Sequence, residues 1–468
     1  MFSAFSALSV RGRSAARLVA ATFVSGLLAA GVTVAAVGTA SADEAAQSQR
    51  GATATIGGLK TYGDAVIHDT DGDLPVSAGL FEMSVEGGGT LQTYCVDLYN
   101  PTQKDAKYHE TDWSGTSLGA NKDAGRIRWI LQNSYPQVND LAALAAKAGA
   151  AGLTEQDAAA GTQVAIWRYS DDADVDAVDP QAEKLADYLH KSARNAVEPA
   201  ASLTLDPPAV SGHPGELLGP VTVHTNAAGT TVVPPADAAT SGVRIVDKAG
   251  NAVTSASDGS QLYFDVPEDA AAGAADLTVQ ASTTVPVGRA FASESRSQTQ
   301  ILAGSSESTV SATASATWAK QGAVPALSAA RNCTAGALDI TAANEGDEEF
   351  TFELMDTEYV IAAGESRTVT VPLQEDQAYD FTIKGPDGLA KRFAGVLDCR
   401  TRSSETGATT QTLSEPSPAT VAAPVTDVNL AETGGSSTTP VIVGTAIALV
   451  VVGGAALVLT GRKNQPQD

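Results

Sequence analysis

The hydrophobic period of this chain changes twice. From Thr55 to about Asn100, short apolar runs are broken by Gly57-Gly58, Asp71-Gly72-Asp73 and Gly87-Gly88-Gly89, a texture of strands and turns. Between residues 121 and 197 the spacing becomes helical. At Leu203 it reverts to strands and stays so to Cys399. Such a chain is neither one helical bundle nor one regular sheet. The pattern predicts a mainly β, multidomain protein whose first domain is α+β, a β-sandwich or barrel with a helical half.

Local signals place the pieces. Asn121 is a candidate cap for a helix carrying Ile127, Ile130 and Leu131, which must stop near Tyr135-Pro136. Asn139 can open a short helix ending at Gly149, and Thr154 with Asp157 resembles a capping box for a helix running through Trp167. Asp179-Pro180 is a cap followed by a first-turn proline. Asp69 to Asp73 has some of the spacing of a calcium loop but lacks its distal bidentate acid, so it reads as a turn. The first domain is set at 53–199. Alternating runs such as Val221 to His224 and Leu262 to Val266 predict an Ig-like β-sandwich over 203–320. A second Ig-like β module follows at 331–400. Residues 401–429 are rich in Thr, Ser, Ala and Pro, cannot bury a core, and read as a linker.

Both ends carry targeting patterns. Arg11, Arg13 and Arg17 precede an apolar stretch that exits through Ala40-Ser41-Ala42, which predicts a signal peptide over 1–42. Residues 441–460 are uncharged and mostly apolar, long enough to span a bilayer as a transmembrane helix, and Arg462 and Lys463 assign the tail 461–468 to the cytoplasmic side. A net charge of −25 argues against nucleic acid as a partner. The five histidines are scattered and no CxxC occurs, so neither a metal site nor a cofactor is expected.

An exported chain with three cysteines has one left over. Cys333 and Cys399 bracket the last β module, one near its first strand and one near its last, and are assigned to each other as a structural disulfide, with two separate thiols as the alternative. That leaves Cys95, in Tyr94-Cys95-Val96-Asp97-Leu98. Read as a strand, this run puts Thr93, Cys95 and Asp97 on one face. Gln163 lies on the helix begun at Thr154, with Ile166 and Trp167 on its face. A thiolate attacking the Gln163 amide carbon would expel ammonia and leave a thioester, an acyl group open to an external amine. Trp167 and Tyr94 are candidates for a dry wall or binding surface, and Asp97, then His109, for the base. Each motif alone is also compatible with ordinary core packing.

Three motifs in order carry a resemblance: Tyr94 to Leu98, Trp129 to Pro136, and Thr162-Gln163-Val164-Ala165-Ile166-Trp167. Together they look like the thioester (TQxA) domain of Gram-positive surface adhesins. The resemblance implies a Cys95–Gln163 cross-link that captures an amine-bearing surface molecule, a lysine side chain or a polyamine, through an isopeptide bond. It implies a single-use binding module and not a turnover enzyme. Leu430-Ala431-Glu432-Thr433-Gly434, the apolar span and the basic tail likewise resemble a sortase sorting signal, with Ala431 where Pro is commoner. This implies cleavage between Thr433 and Gly434, with Leu430 part of the signal, and attachment to a peptidoglycan cross-bridge or stem-peptide amine in the cell wall. The alternatives are a wall protein that binds non-covalently and a cysteine acyltransferase.

Overall fold

The computed structural model describes residues 50–69 and 72–399. The signal segment, the linker, the sorting motif, the apolar span and the tail lie outside the described residues. Among the described residues no helix is long and apolar enough to cross a membrane.

The first region contains β1 (Thr53–Asp69), β2 (Gly72–Val85), β3 (Thr90–Cys95) and β4 (Lys107–Thr111), then α1 (Ala124–Asn133), α2 (Leu141–Ala148), α3 (Glu155–Ser170), the short β5 (Val175–Ala177) and α4 (Pro180–Ser192). The helix signals are mostly realised. Thr154 and Asp157 form a reciprocal capping box, Asp179 accepts from the Gln181 and Ala182 N–H groups, and Gly149 closes α2 in the left-handed region. Two caps differ from expectation. Asp140, one residue past Asn139, caps α2. Asn121 does not cap α1; its amide donates to the Tyr169 and Ser170 carbonyls and ties the end of α3 down.

Downstream come β6 (Leu203–Asp206), β7 (Ala209–Gly212), β8 (Leu217–Thr225), β9 (Thr230–Val233), β10 (Arg244–Val246), β11 (Ser255–Ala256), β12 (Gln261–Asp265), β13 (Gly273–Thr284), β14 (Ala290–Ser293), β15 (Gln300–Ser305) and β16 (Glu307–Trp318). Two sheets form here, ordered β10-β12-β8-β6 and β11-β9-β13-β16-β7. Their buried side chains, Leu205, Val221 and Phe264 on one and Leu277, Val279 and Ala312 on the other, belong to one apolar cluster that continues into the first region.

That continuity has a topological cause. The segment 203–320, expected to form an Ig-like β-sandwich of its own, gives two strands to the first sheet, whose order is β2-β3-β15-β14-β4-β1-β5 with β1 also paired to β2. The result is a closed, six-stranded antiparallel barrel, β1-β2-β3-β15-β14-β4, with no free edge among those strands. β13 and β16 pair along their whole lengths, from Gly273↔Trp318 to Thr284↔Glu307. β14 and β15 are therefore the far end of a long ribbon, inserted between β3 and β4. Alternation is hard to read in this insertion because both faces of β14 and β15 are buried, giving continuous rather than period-2 burial.

Helix α3 lies against β1, β2 and α4, and nearly all of it from Ala158 to Trp167 is buried. Its small residues permit the close approach. An added Cβ at Gly161 would stand 2.4 Å from the Ala182 carbonyl oxygen of α4, so glycine is tolerated mid-helix for packing reasons.

The last module holds β17 (Pro325–Asn332), β18 (Ala337–Asn344), β19 (Phe350–Leu354), β20 (Thr357–Ile361), β21 (Glu365–Pro372), β22 (Gln377–Lys384) and β23 (Ala390–Leu397), around its own core of Leu338, Ile340, Phe350, Phe352 and Phe393. Cys333 and Cys399 are disulfide-bonded, and Cys95 is free and buried.

A buried ion cluster pins the ribbon to the barrel. The Arg289 guanidinium, just before β14, donates to Glu110 (2.9 Å), Glu198 (3.0 Å), Asp112 (3.0 Å) and the Pro199 carbonyl (3.1 Å). Glu110 also accepts from the Ala52 and Ser202 N–H groups, so one carboxylate gathers three distant segments. Removing one partner of so buried a pair leaves an uncompensated charge. Arg289→Met is predicted to cost about 3–5 kcal/mol. Arg289→Met with Glu110→Gln should recover much of the loss, as urea unfolding of the four proteins of the cycle would measure.

Candidate functional site

Cys95 is the last residue of β3, and Gln163 sits in the buried middle of α3. The pairing of β2 with β3 ends at Phe81↔Thr93, and the rest of β2 toward Gly72 pairs with β1 alone. The Cys95 backbone groups on that side consequently face no strand. The Gln163 side-chain amide takes the vacant place. Cys95 N–H donates to Gln163 Oε1 at 3.0 Å, and Gln163 Nε2 donates to the Cys95 carbonyl at 2.9 Å. On the other side Val96 N–H donates to the Thr299 carbonyl, joining the chain to β15.

This pairing fixes the amide plane and polarises its carbonyl. Charge developing on Oε1 during attack at the amide carbon would meet a backbone N–H already in place, the arrangement of an oxyanion donor. The sulfur is buried as well, with Cys95 1% and Gln163 0% exposed. Burial pushes the thiol pKa up, opposed by hydrogen bonds from Gln300 and Thr102 and reinforced by the Asp97 and Asp171 charges. Before reaction the group is held as the neutral thiol, so attack requires removal of its proton.

The three sequence motifs interlock around this point. Tyr94 Oη donates to the Tyr135 carbonyl at 2.9 Å. The neighbouring Ser134 hydroxyl lies 2.6 Å from that of Thr162, which donates to the Ala158 carbonyl at 2.6 Å. The segment after α1 thus clamps β3 and α3 together at the residues flanking Cys95 and Gln163. Trp167 is buried, and its indole N–H has no hydrogen-bond partner.

Asp97 is placed differently from expectation. β3 ends at Cys95, so the alternation that would align Asp97 with the thiol stops there. The buried Asp97 carboxylate accepts from Ser117 Oγ at 2.6 Å and from Thr299 N–H at 2.7 Å. The first bond ties the loop after Cys95 to the turn at Ser117 and the second to the residue that leads into β15, and Asp171 adds a third tie by accepting from Leu98 N–H at 3.1 Å. His109, on β4, bonds Thr53 and Glu294 rather than the thiol. Residues Leu430, Thr433 and Gly434 lie outside the described residues.

Sequence reasoning missed Gln300, Thr299, Ser117 and Asp171. The run Ser297-Gln298-Thr299-Gln300, buried, is the visible trace: four consecutive polar residues, three leading into β15 and one opening it, that must each find a partner away from water. Gln300 is register-paired with Cys95 across β15 and β3, and its Nε2 lies 3.4 Å from the sulfur.

The disulfide end of the last module packs beside this loop. Cys333 N–H donates to the Ser114 carbonyl and Asn100 Nδ2 donates to Asp398 at 2.9 Å. The Glu375, Asp376 and Asp398 carboxylates lie within 4.8 Å of one another.

Comparison with known proteins bears on the first region. Residues 92–195 match the thioester domain. Residues 322–396 match the C-terminal domain of bacterial phospholipase C, and no curated protein matches the chain. Among solved structures the chain is similar to the Bacillus anthracis TIE protein, at 16% identity and a TM-score of 0.26, over 74% of this chain and 64% of that one. It is also similar to the thioester domain of the Enterococcus faecium TIE86 protein, at 15% identity and a TM-score of 0.28, over 58% of this chain and 98% of that one. The chain thus spans less than two thirds of the Bacillus anthracis protein's length. The thioester match ends well before Gln300, which comes from the inserted ribbon.

Burial and the nearby Asp97, Glu375 and Asp376 charges push the Asp398 carboxyl up to about 8. A carboxyl raised in the folded state favours its protonated form there. Its contribution to stability is complete below the ordinary carboxylate range and is lost as pH rises through the raised value. Asp398→Asn should therefore leave the melting temperature near that of the parent at pH 3.5 and raise it by several degrees at pH 9, as thermal unfolding at the two pH values would check.

Proposed function

We propose that this chain is a covalent binding module, in which Cys95 and Gln163 condense to an internal thioester that is spent once on an external amine. The observation that carries this reading is the double hydrogen bond between the Cys95 backbone and the Gln163 side chain, which holds the amide beside the residue that bears the thiol. In the first step the thiol gives up its proton, the sulfur–carbon bond forms, the carbon–nitrogen bond breaks, and the departing nitrogen takes up that proton and leaves as ammonia. In the second an amine attacks the same carbon, the sulfur departs and takes up a proton, and an isopeptide bond remains. Cys95 is then a thiol again but the acyl group is gone, so the module does not turn over.

Burial of both residues supports a bond that survives in water, since hydrolysis competes only where water enters. The target class is an amine-bearing surface molecule, a lysine side chain or a polyamine. The patterns at 1–42 and 430–468 support export and sortase attachment to peptidoglycan, with the reactive region facing outward as an adhesin. Asp97, with both oxygens engaged, serves this reading best as the residue that holds the loop after Cys95.

Incubating the folded protein with a labelled small primary amine tests the proposal. One stable adduct per chain is expected, absent from Cys95→Ala and Gln163→Ala, forming faster as pH rises because only the neutral amine attacks. No adduct in the parent, or an equal adduct in both variants, would refute it. Release of acyl product over many turnovers would point instead to an acyltransferase.

A further inference from the structure

Gln300 is a fully buried amide whose use in the resting protein is weak. Its Oε1 accepts from the Thr93 hydroxyl at 2.9 Å, and its Nε2 donates to the Cys95 sulfur at 3.4 Å. A thiol sulfur is a poor acceptor, so this bond returns little for the burial of a polar side chain. The same bond becomes strong when the sulfur is a thiolate, because donors to a charged acceptor bind about twice as tightly as donors to a neutral one.

We propose that Gln300 is a catalytic residue of the Cys95–Gln163 couple, its amide carrying the thiolate both when the sulfur attacks and when it leaves. This rests on the thioester reading above. In the first step the Gln300 N–H stabilises the sulfur as its proton departs and before the sulfur–carbon bond is complete. In the second it receives the sulfur as that bond breaks, until the thiolate is reprotonated. An interaction that strengthens only as charge develops lowers the barrier instead of merely tightening the fold.

The two flanking bonds explain why a glutamine suits this position. Cys95 and Gln300 face each other across antiparallel strands, and Thr93 shares the Cys95 face two residues earlier. Thr93 holds the amide oxygen, which directs the nitrogen to the sulfur. Gln163 and Gln300 thereby take different parts. Gln163 has its carbonyl polarised by the Cys95 N–H, as an acyl donor needs, while Gln300 offers its nitrogen. The reacting sulfur is served by β15, which reaches the barrel only because the β13–β16 ribbon inserts into it.

The test compares the full chain with Gln300→Met, close in volume but without the donor, and with Thr93→Val, which keeps Gln300 but releases its oxygen. Capture of a labelled small amine should slow by at least about tenfold in Gln300→Met and by a lesser factor in Thr93→Val, with melting temperatures near the parent's. Parental capture rates in a folded Gln300→Met overturn the proposal. Should that variant not fold, a parental rate in Thr93→Val overturns it. A Gln163→Ala protein that still lacks one ammonia would make Gln300 the acyl donor and also overturn it. If the parent itself lacks no ammonia, the thioester reading fails, and Cys95 alkylation decides the role of Gln300. In Gln163→Ala the thiol is free, and adding Gln300→Met should slow iodoacetamide alkylation at pH 8 by at least about tenfold. An equal or faster rate overturns the proposal.

Discussion

The Gln163 amide in the place of a missing strand is the interaction on which the site depends. At the point where β2 leaves β3, the Cys95 N–H and carbonyl would be buried without partners, at a cost of roughly 1–3 kcal/mol each. A side-chain amide presents one acceptor and one donor in a plane, as a peptide does, and satisfies both. The helix that carries it must come close, and this sets the composition of α3: Ala158-Ala159-Ala160-Gly161 on the turn before Thr162, with a carbonyl of α4 where a side chain on Gly161 would be. The need to close a strand edge and the need to hold an amide beside a thiol are met by the same two bonds.

The supporting structure is shared between regions that look separate along the chain. The β13–β16 ribbon closes the barrel, delivers Thr299 to Asp97 and Gln300 to Cys95, and is held by Arg289 in a cluster that also gathers Ala52, Glu110 and Ser202. The last module adds contacts at Ser114 and Asn100, next to the same loop. A site completed by residues about 200 positions downstream needs the downstream fold in place, which makes the first two regions one cooperative body.

Much of this was legible in the sequence, for identifiable reasons. The capping box at Thr154, the cap at Asp179 and the stop at Gly149 are short-range signals, and local chemistry decides them. The disulfide followed from an odd cysteine count and from two cysteines bracketing one module. Cys95 and Gln163 were found as a pair because three motifs recur in a known order. What could not be read is long-range. Nothing local says that residues 290–305 leave the sandwich expected over 203–320, because a strand buried on both faces loses its alternation. The misplacement of Asp97 has a related origin, since β3 ends at Cys95, where its pairing with β15 also ends, and period-2 reasoning carries on past that end. Buried polar residues such as Gln300 and Thr299 were the available warning, and they mark the site.

The central claim is that the Cys95 sulfur and the Gln163 carbonyl carbon are joined. The intact mass of the folded, unreduced protein, recorded in acid to prevent hydrolysis, tests it most directly. The account predicts a mass short of the sequence, after allowing for the Cys333–Cys399 disulfide, by one ammonia, with the deficit abolished in Cys95→Ala and in Gln163→Ala. A protein of full mass, with Cys95 free to react once the chain is unfolded, would contradict it.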